Sequence, residues 1–229
     1  MDKVLLVIPA YNEGKNIERV VDHIKNDFPE LDYVVVNDGS KDDTAAICRR
    51  RGYNFIDLPV NLGLAGCFQT GMKYAWQKGY SYAVQFDGDG QHDASYLQAM
   101  ADRLERDDLD MVIGSRFIEN EGFQSTGLRR FGINFFKFLI KLLYGGTITD
   151  ATSGMRMCSR RVMEEFSVDY PQDYPEPETV ARLLRKKYKV QEIPVVMRER
   201  SAGTSSINPA KSVYYMIKVS LAILVERLG

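Results

Sequence analysis

The sequence has few of the residues that mark small disulfide-bonded or zinc-stabilised proteins. Its 229 residues include three cysteines, Cys48, Cys67 and Cys158. They are odd in number, far apart and without the C-x-x-C spacing of zinc and redox sites. A disulfide framework is therefore excluded as the basis of the fold, and we expect buried thiols in a reducing compartment.

An excess of charge and long apolar runs are also lacking. The 30 Lys and Arg residues stand against 31 Asp and Glu residues, for a formal net charge of -1, so we expect no nucleic-acid partner. No run reaches the roughly 18 apolar residues of a membrane span, and the run Val4–Ile8 is too short for a signal peptide. The chain is 45% hydrophobic, which is enough for one globular domain with a sizeable core.

Apolar runs alternate with helical patterns along most of the chain. The continuous run Val4–Ile8 predicts a strand buried on both faces of a parallel sheet, and a helix that opens at Asn12 or Gly14 follows it. The same order recurs, which predicts a Rossmann-like, doubly wound, mostly parallel α/β sheet with its site at the carboxyl ends of the strands. Further strands are predicted at 33–36, 54–57, 82–86, 110–113 and 190–196, and further helices at 42–51, 63–78, 158–168 and 177–188.

Two segments are more apolar than a helix on the outside of a domain needs to be. In Ile133–Tyr144, Lys137 and Lys141 share one narrow face and the rest is largely apolar, and Pro209–Gly229 has a broad apolar face. We predict that both are amphipathic helices on a membrane surface, with Phe136 and Leu139 facing lipid. The alternative is that they pack on the sheet or form a homo-oligomer interface.

The segment Asp87–His92 carries the strongest local signal of chemistry. Asp87 and Asp89 flank one glycine after the predicted strand 82–86, where both can converge on a hard cation such as Mg²⁺ or Mn²⁺. An ordinary Asp/Gly turn is the alternative. An EF-hand loop is not supported, because Gln98 stands where its bidentate Glu is expected.

Acidic turns also follow the first two predicted strands. In Asn37–Ser40, Asp38 can accept hydrogen bonds from a ribose hydroxyl or from the N–H of a base. In Pro9–Glu13, the ring of Tyr11 and the carboxylate of Glu13 are available to the same crevice. Because the strands are predicted to be parallel, all three acidic turns are expected at one edge of the sheet.

Taken in order, these motifs resemble the inverting nucleotide-sugar glycosyltransferases of family 2, which have the GT-A fold. Among them the sequence is similar to the dolichyl- and polyprenyl-phosphate glycosyltransferases. The resemblance covers about residues 4–206, through the motifs at 9–13, 37–40, 61–63, 87–92, 114–116, 150–156 and 200–205. It implies a single catalytic domain over residues 1–206, with the helix 133–144 inside it, followed by a C-terminal amphipathic helix over 207–229.

The resemblance implies a donor site and a metal site at the sheet edge. It assigns nucleoside binding to Pro9, Tyr11, Glu13 and Asp38. It places Asp87 near the ribose and diphosphate, and it gives the Mg²⁺ or Mn²⁺ ion to Asp87, Asp89 and Gln91. A divalent cation stabilises the charge that a departing nucleoside diphosphate gains, which makes Asp89 a catalytic residue by this assignment. Arg198 and Arg200 are in position to contact the diphosphate, with ordinary surface charge as the alternative.

The resemblance also implies an acceptor site. Three residues match positions that contact the acceptor phosphate in prenyl-phosphate enzymes: Arg116, Arg130 and Asn134. The last is usually a serine, but an amide can still donate to a phosphate oxygen. Asp150 matches the family's catalytic base. A phosphomonoester has a second pKa of about 6 and is largely ionised at neutral pH, so Asp150 can instead orient. Glu178 is a rival carboxylate, unless it is only a first-turn helix charge.

The resemblance therefore implies a metal-dependent, inverting hexosyltransferase at the cytoplasmic face of a membrane. It would move a hexosyl or N-acetylhexosaminyl group from a nucleoside-diphosphate sugar, with UDP as the expected nucleotide, to a polyprenyl phosphate of the undecaprenyl type. The alternatives are transfer to a saccharide hydroxyl in cell-surface polysaccharide synthesis, or nucleotide binding without turnover in an assembly protein. Further expected partners are a small membrane protein that supplies an anchor, or a second copy of this chain in a homo-oligomer.

Overall fold

The computed structural model describes residues 3–86, 92–119, 121, 127–172, 175–197 and 209–228. The strands are β1 Val4–Ala10, β2 Asp32–Asn37, β3 Phe55–Asp57, β4 Tyr82–Gln85, β5 Met111–Ser115, β6 Arg156–Ser159 and β7 Val190–Pro194. The helices are α1 Ile17–Asp27, α2 Thr44–Arg51, α3 Gly63–Lys78, α4 Leu97–Arg106, α5 Gly127–Tyr144, α6 Arg160–Val168, α7 Pro175–Arg185 and α8 Pro209–Leu228.

Within the described residues, the strands form one seven-stranded sheet in the order β3-β2-β1-β4-β6-β5-β7. β1 is parallel to β2 and β4, β2 is parallel to β3, and β5 is parallel to β7. β6 is antiparallel to both of its neighbours, β4 and β5. The predicted α/β class with a mostly parallel sheet is confirmed.

The elements differ from the sequence prediction at four main places. Helix α5 begins at Gly127, six residues before the predicted Ile133. The predicted helix 158–168 is wrong at its start, because Arg156–Ser159 is a strand and α6 begins at Arg160. Helix α4 is missing from the prediction, although its buried residues have helical spacing. Helix α1 begins at Ile17, after Asn12 and Gly14, because Asn12 adopts a left-handed φ of 56° that a helix cannot contain.

The core lies on both faces of the sheet, as the continuous apolar strands predict. Leu6 and Ile8 of β1 point into one cluster with α1, α2 and α4, whereas Leu5 and Val7 point into the other, with α3 and α5 to α8. All three cysteine thiols are buried, and burial raises the pKa of Cys158 to about 12. The expectation that the thiols are buried is confirmed.

Helix α5 carries two apolar stripes on opposite faces. Ile133, Phe136 and Ile140 are buried in the core. Spacings of four, three and four residues place the others on the far side, where they form what we call the outer stripe of α5: Phe131 (63% exposed), Phe135 (36%), Phe138 (62%) and Leu142 (67%). The expectation that Phe136 and Leu139 face lipid is wrong, because Phe136 is 0% exposed and Leu139 is partly buried against the same core.

Helix α8 repeats this arrangement beside α5. Val219 and Ile223 are buried in the same cluster as α5, and an apolar row faces solvent: Tyr214, Ile217, Leu221, Leu224 and Val225. The two helices run side by side. The Phe136 and Tyr215 rings meet edge to face at 5.5 Å, and the Tyr144 hydroxyl donates to the carbonyl of Ile223 at 2.7 Å. No helix in the described ranges is long and apolar enough to cross a membrane.

Candidate active site

The sheet topology brings the predicted motifs to one edge. Ala10 pairs with Asn37, so the loops that follow β1 and β2 lie side by side. Because β6 is antiparallel, its first residue Arg156 pairs with Ile113 of β5. The loop that precedes β6, which contains Asp150, therefore reaches the same edge as Arg116, which follows β5.

Hydrogen bonds join the loop after β1 to the loop after β2. Three successive backbone N–H groups, those of residues 12–14, each donate over 2.9 Å to a side-chain oxygen of the second loop: Ser40 Oγ, Thr44 Oγ1 and Asp42 Oδ2. Burial acts to raise the pKa of the Asp42 carboxyl, but hydrogen bonds from Thr44 and Gly14 outweigh it and lower that pKa. These hydrogen bonds join the two loops into one unit.

This unit carries three of the predicted nucleoside-binding residues. Tyr11 is 45% exposed, and Pro9, in β1, and Glu13 are half-buried. Glu13 Oε2 accepts a hydrogen bond from Asn16 Nδ2 at 2.8 Å, which fixes the carboxylate at the start of α1. An exposed ring beside a held carboxylate can contact a base and its ribose.

Asp38 is buried and joins the second loop to helix α3. Its Oδ1 accepts the N–H of Leu62 at 2.6 Å and its Oδ2 accepts the N–H of Gly63 at 2.9 Å. Gly39 makes this approach possible, because it has a left-handed φ of 62° and a Cβ there would lie 2.9 Å from Asn61 N. The Cys67 thiol of α3 also hydrogen-bonds this carboxylate, so Asp38 fixes the start of α3 against the second loop.

Strand β4, which precedes the predicted metal motif in the sequence, ends at this edge. Asp87, Asp89 and Gln91 lie outside the described residues, as do Arg198 and Arg200. The flanks are fixed, because Phe86 N donates to Val7 O at 2.9 Å and the buried His92 packs edge-on against the Phe86 ring. No group of three or more His, Cys, Asp or Glu elsewhere in the described ranges could hold a metal. Two carboxylates and an amide oxygen fit Mg²⁺ or Mn²⁺ by their donor chemistry.

Arg116 and Asp150 form a buried, two-pronged ion pair. Arg116 Nε lies 2.7 Å from Asp150 Oδ2, and its Nη2 lies 2.8 Å from Asp150 Oδ1. Their side chains are 6% and 0% exposed. Thr152 Oγ1 also lies 3.1 Å from Asp150 Oδ1. Two predicted site residues are thus brought together, and the carboxylate fixes the orientation of the guanidinium.

Glu192 of β7 binds the backbone that carries Asp150. Its Oε1 accepts the N–H of Asp150 at 2.8 Å, and its Oε2 accepts the N–H and hydroxyl of Thr149 at 2.7 and 2.8 Å. Burial raises the pKa of Glu192, the hydrogen bonds from Thr149 and Asp150 act to lower it, and the Asp150 charge adds to the rise.

Arg130 lies at the start of α5 and shares an aromatic contact with Arg116. The guanidinium carbons of Arg116 and Arg130 lie 5.3 and 5.5 Å from the centre of the Phe117 ring. An aromatic ring holds a guanidinium without neutralising its charge. Asn134 is exposed one turn further along α5, so the three predicted acceptor-phosphate residues lie around one end of this helix.

The carboxylate of Glu178 has different surroundings from that of Asp150. Buried Arg156 bonds the carbonyls of Ala151 and Glu176, which ties the Asp150 loop to the start of α7. The Glu178 side chain, further along α7, lies 3.8 Å from Arg182 and lines a small cleft with Lys218 of α8.

Sequence reasoning missed Phe117, Thr149 and Glu192. Glu192 had a signal, because it is a single acidic residue inside the apolar run Val190–Val196. Phe117 and Thr149 had none, because only the folded chain places the ring beside Arg130 and the hydroxyl beside Glu192.

Comparison with protein families now adds to the geometry. The family model described as glycosyl transferase family 2 matches residues 5–167. The chain belongs to glycosyl transferase family 2, and the predicted family is confirmed.

Individual proteins agree with the family match. The chain is 30% identical over 218 residues to a UDP-N-acetylglucosamine–dolichyl-phosphate N-acetylglucosaminyltransferase of Methanococcus voltae, covering 85% of each chain. It is 26% identical over 232 residues to a polyprenol monophosphomannose synthase of Mycolicibacterium smegmatis, covering 95% of this chain and 86% of the relative. A crystal structure of glucosyl-3-phosphoglycerate synthase from Mycobacterium tuberculosis with Mn²⁺, UDP and phosphoglyceric acid superposes with a TM-score of 0.71 at 19% identity, covering 100% of this chain and 79% of that one. At that identity, this last likeness shows the fold alone.

Proposed function

We propose that this family 2 glycosyltransferase moves a hexosyl or N-acetylhexosaminyl group from a UDP-linked sugar to a polyprenyl phosphate, with inversion at the anomeric carbon. The observation that carries the proposal is the position of Arg116 and Arg130, which meet at Phe117 where α5 begins, at the end of its outer stripe. Phosphate-binding charge beside exposed apolar side chains suits a phosphate on a lipid chain. The names of the two enzyme relatives support the same acceptor class.

The donor is assigned to the unit formed by the loops after β1 and β2. Tyr11, Glu13 and Asp38 are proposed to hold the nucleoside, with Pro9 shaping the floor. Asp87, Asp89 and Gln91 would hold Mg²⁺ or Mn²⁺, and that ion would stabilise the charge of the departing diphosphate. Arg198 and Arg200 are proposed to bind the same diphosphate.

The acceptor needs orientation more than deprotonation. The second pKa of a phosphomonoester is about 6, so most of the acceptor phosphate is dianionic at pH 7. We assign Asp150 the role of holding the Arg116 guanidinium in place, since both carboxylate oxygens already accept from that group at 2.7 and 2.8 Å. Arg130 and Asn134 would donate to the remaining phosphate oxygens.

A membrane surface is the proposed partner of the outer stripe of α5 and the exposed row of α8. One flank of α5 is polar and exposed, with residues three or four apart: Arg130, Asn134, Lys137 and Lys141. Each basic residue near an anionic membrane surface contributes about 1 kcal/mol. Because the outer stripe and the basic flank adjoin on α5, we place the enzyme on the cytoplasmic face of a bilayer as a peripheral protein.

The test is transfer by the purified chain with Mg²⁺ or Mn²⁺, using UDP-glucose, UDP-N-acetylglucosamine and GDP-mannose as donors. Acceptors are a polyprenyl phosphate, phosphoglycerate and an oligosaccharide, and mass spectrometry identifies the product. We expect a glycosylated polyprenyl phosphate with at least one donor. Transfer only to the oligosaccharide or to phosphoglycerate would overturn the lipid acceptor. A failure to transfer or hydrolyse any donor would favour the assembly protein.

A matched variant tests the metal assignment in the same assay. Asp89→Asn removes one charged ligand and is expected to lower transfer by about 100-fold or more. Asp93→Asn, a nearby carboxylate that caps the turn Ala94–Tyr96, is the control and should retain transfer. Near-normal turnover of Asp89→Asn, with the metal still required, would contradict the assignment.

A further inference from the structure

Both carboxylate oxygens of Glu192 bind one short stretch of backbone. The N–H groups of Thr149 and Asp150 and the Thr149 hydroxyl all donate to it, at 2.7 to 2.8 Å. Thr149 Oγ1 is also 2.7 Å from Ser115 Oγ at the end of β5. A half-buried carboxylate in the middle of a strand carries a desolvation cost, and these hydrogen bonds offset it.

The bonded stretch is the one that holds Arg116. Asp150 is joined to Glu192 through its N–H and to Arg116 through its carboxylate. β7 is hydrogen-bonded to β5 in parallel, with Ile113 opposite Glu192, and Arg116 directly follows β5. The three residues therefore form a closed loop of contacts: strand β7 to Asp150, Asp150 to Arg116, and Arg116 back along β5 to β7.

We propose that Glu192 is a positioning residue for the acceptor site: it fixes the backbone at Thr149 and Asp150 so that the Asp150 carboxylate presents the Arg116 guanidinium to the acceptor phosphate. This role rests on the proposed function. Among the hydrogen bonds of the described residues, none joins Glu192 to the loops that we assign to the donor. Its loss should therefore weaken use of the acceptor and leave use of the donor intact.

Glu192→Gln keeps the shape of the side chain and replaces one of its two hydrogen-bond acceptors by a donor. The amide oxygen can accept from Thr149 or from Asp150, but the amide nitrogen then faces the other N–H group, and two donors cannot pair. The backbone at 149–150 must shift, and Asp150 and Arg116 shift with it. Thr149→Val removes the hydroxyl bonds to Glu192 and Ser115 but keeps both backbone bonds to Glu192, and it should have a smaller effect in the same direction. It also keeps the proposal testable if Glu192→Gln folds poorly.

The experiment measures kcat and KM separately for donor and acceptor with the full chain, using whichever acceptor of the panel the wild type glycosylates. We expect Glu192→Gln to raise the acceptor KM about tenfold and to leave the donor KM unchanged. The control is Glu165→Gln, which also removes a carboxylate that accepts two side-chain hydrogen bonds, from Lys186 and Tyr188. It lies on α6 and should leave both KM values unchanged.

The outcomes separate this inference from the proposed function. If the wild type uses no polyprenyl phosphate but glycosylates another acceptor, the lipid proposal fails and the same KM comparison still tests Glu192. A loss of kcat in Glu192→Gln with an unchanged acceptor KM, matched by Glu165→Gln, would mean that Glu192 only stabilises the fold. The positioning role would also be overturned if Thr149→Val is well folded and keeps the wild-type acceptor KM while Glu192→Gln keeps its transfer activity.

Discussion

The Arg116–Asp150 ion pair is buried, unlike the surface ion pairs. Water therefore cannot hydrate one partner when the other is removed. Asp150→Asn leaves the buried Arg116 charge without its carboxylate, which is expected to lower the free energy of unfolding by about 3 kcal/mol or more. Asp108→Asn, which breaks the exposed pair with Lys189, should leave stability nearly unchanged. Urea unfolding followed by circular dichroism measures both. Equal stability of the two variants would contradict the buried pair.

The same substitution tests what Asp150 does in transfer. If it orients Arg116, Asp150→Asn should lose activity equally at pH 6 and at pH 8.5, because the loss does not depend on acceptor ionisation. If it removes a proton, the loss should be smallest where the phosphate is fully dianionic. Full activity of Asp150→Asn with an inactive Glu178→Gln would move the assignment to the second carboxylate.

Glu192 should make stability depend on pH in a particular direction. Burial raises its pKa in the folded chain, so the folded state holds the proton more tightly than the unfolded state does. Its favourable contribution is fully present below the ordinary glutamate pKa of about 4.3, and it is lost as pH rises through the raised value. The free energy of unfolding of the wild type, minus that of Glu192→Gln, should therefore fall as pH rises through this window. A difference that rises with pH would contradict the raised pKa.

At the scale of single residues, the sequence predicts the types of group in the site better than their partners. Asp38 and Asp150 are recognisable from their motifs, but their hydrogen bonds to Leu62, Gly63 and Arg116 join segments 24 to 34 residues apart. Contacts over such distances depend on sheet order. No local spacing in the sequence records sheet order.

Helix α5 is the element whose surface makes the most direct prediction. Phe138→Glu with Leu142→Glu changes two residues of its outer stripe that are 62% and 67% exposed, so the fold should survive. The variant should no longer float with vesicles of anionic phospholipid, and it should lose transfer to a long polyprenyl phosphate while retaining slow hydrolysis of the donor. A thermal melt measures whether the fold survives, and a vesicle flotation assay measures membrane binding. The transfer assay with a polyprenyl phosphate measures transfer and hydrolysis.

The controls for α5 come from the rest of the structure. Val168→Glu changes an apolar side chain at the end of α6 that is 82% exposed, and it should float like the wild type. Phe136→Glu places a charge in the core and is expected to unfold the chain. If the Phe138 and Leu142 variant binds vesicles and glycosylates lipid normally, the acceptor enters from another side.

The length of the pattern explains the outcome for two of the elements. Helix α3, Gly63–Lys78, agrees with its predicted bounds, because sixteen residues carry several helical turns. Strand β6 has four residues, too few to establish alternation, and it is followed at once by a helix whose pattern extends over it. Its antiparallel direction arises from tertiary packing between β4 and β5.

At the scale of the whole molecule, α8 belongs to the core that the rest of the chain builds. Val219 and Ile223 are 2% and 0% exposed, and Glu226 pairs with Arg182 and Arg185 of α7. Ending the chain at residue 208 should lower the melting temperature by on the order of 10 °C, because it exposes the apolar side chains beneath α8. Val225→Glu, on the exposed row of α8, is the control and should melt like the wild type. An unchanged melting temperature after truncation would mean that α8 is an independent appendage.

The antiparallel strand β6 also bears on how the two substrates meet. Many enzymes bring their reactants together by closing two domains about a hinge. Here the strand that ends at the metal motif, β4, and the strand that begins after the Asp150 loop, β6, are hydrogen-bonded neighbours with Val84 opposite Met157, about 4.8 Å apart. On the proposed assignment of the two sites, backbone pairing within the sheet therefore fixes the distance between donor and acceptor. The proposal therefore predicts that side-chain changes in the loops alter which sugar or lipid is used without altering that distance.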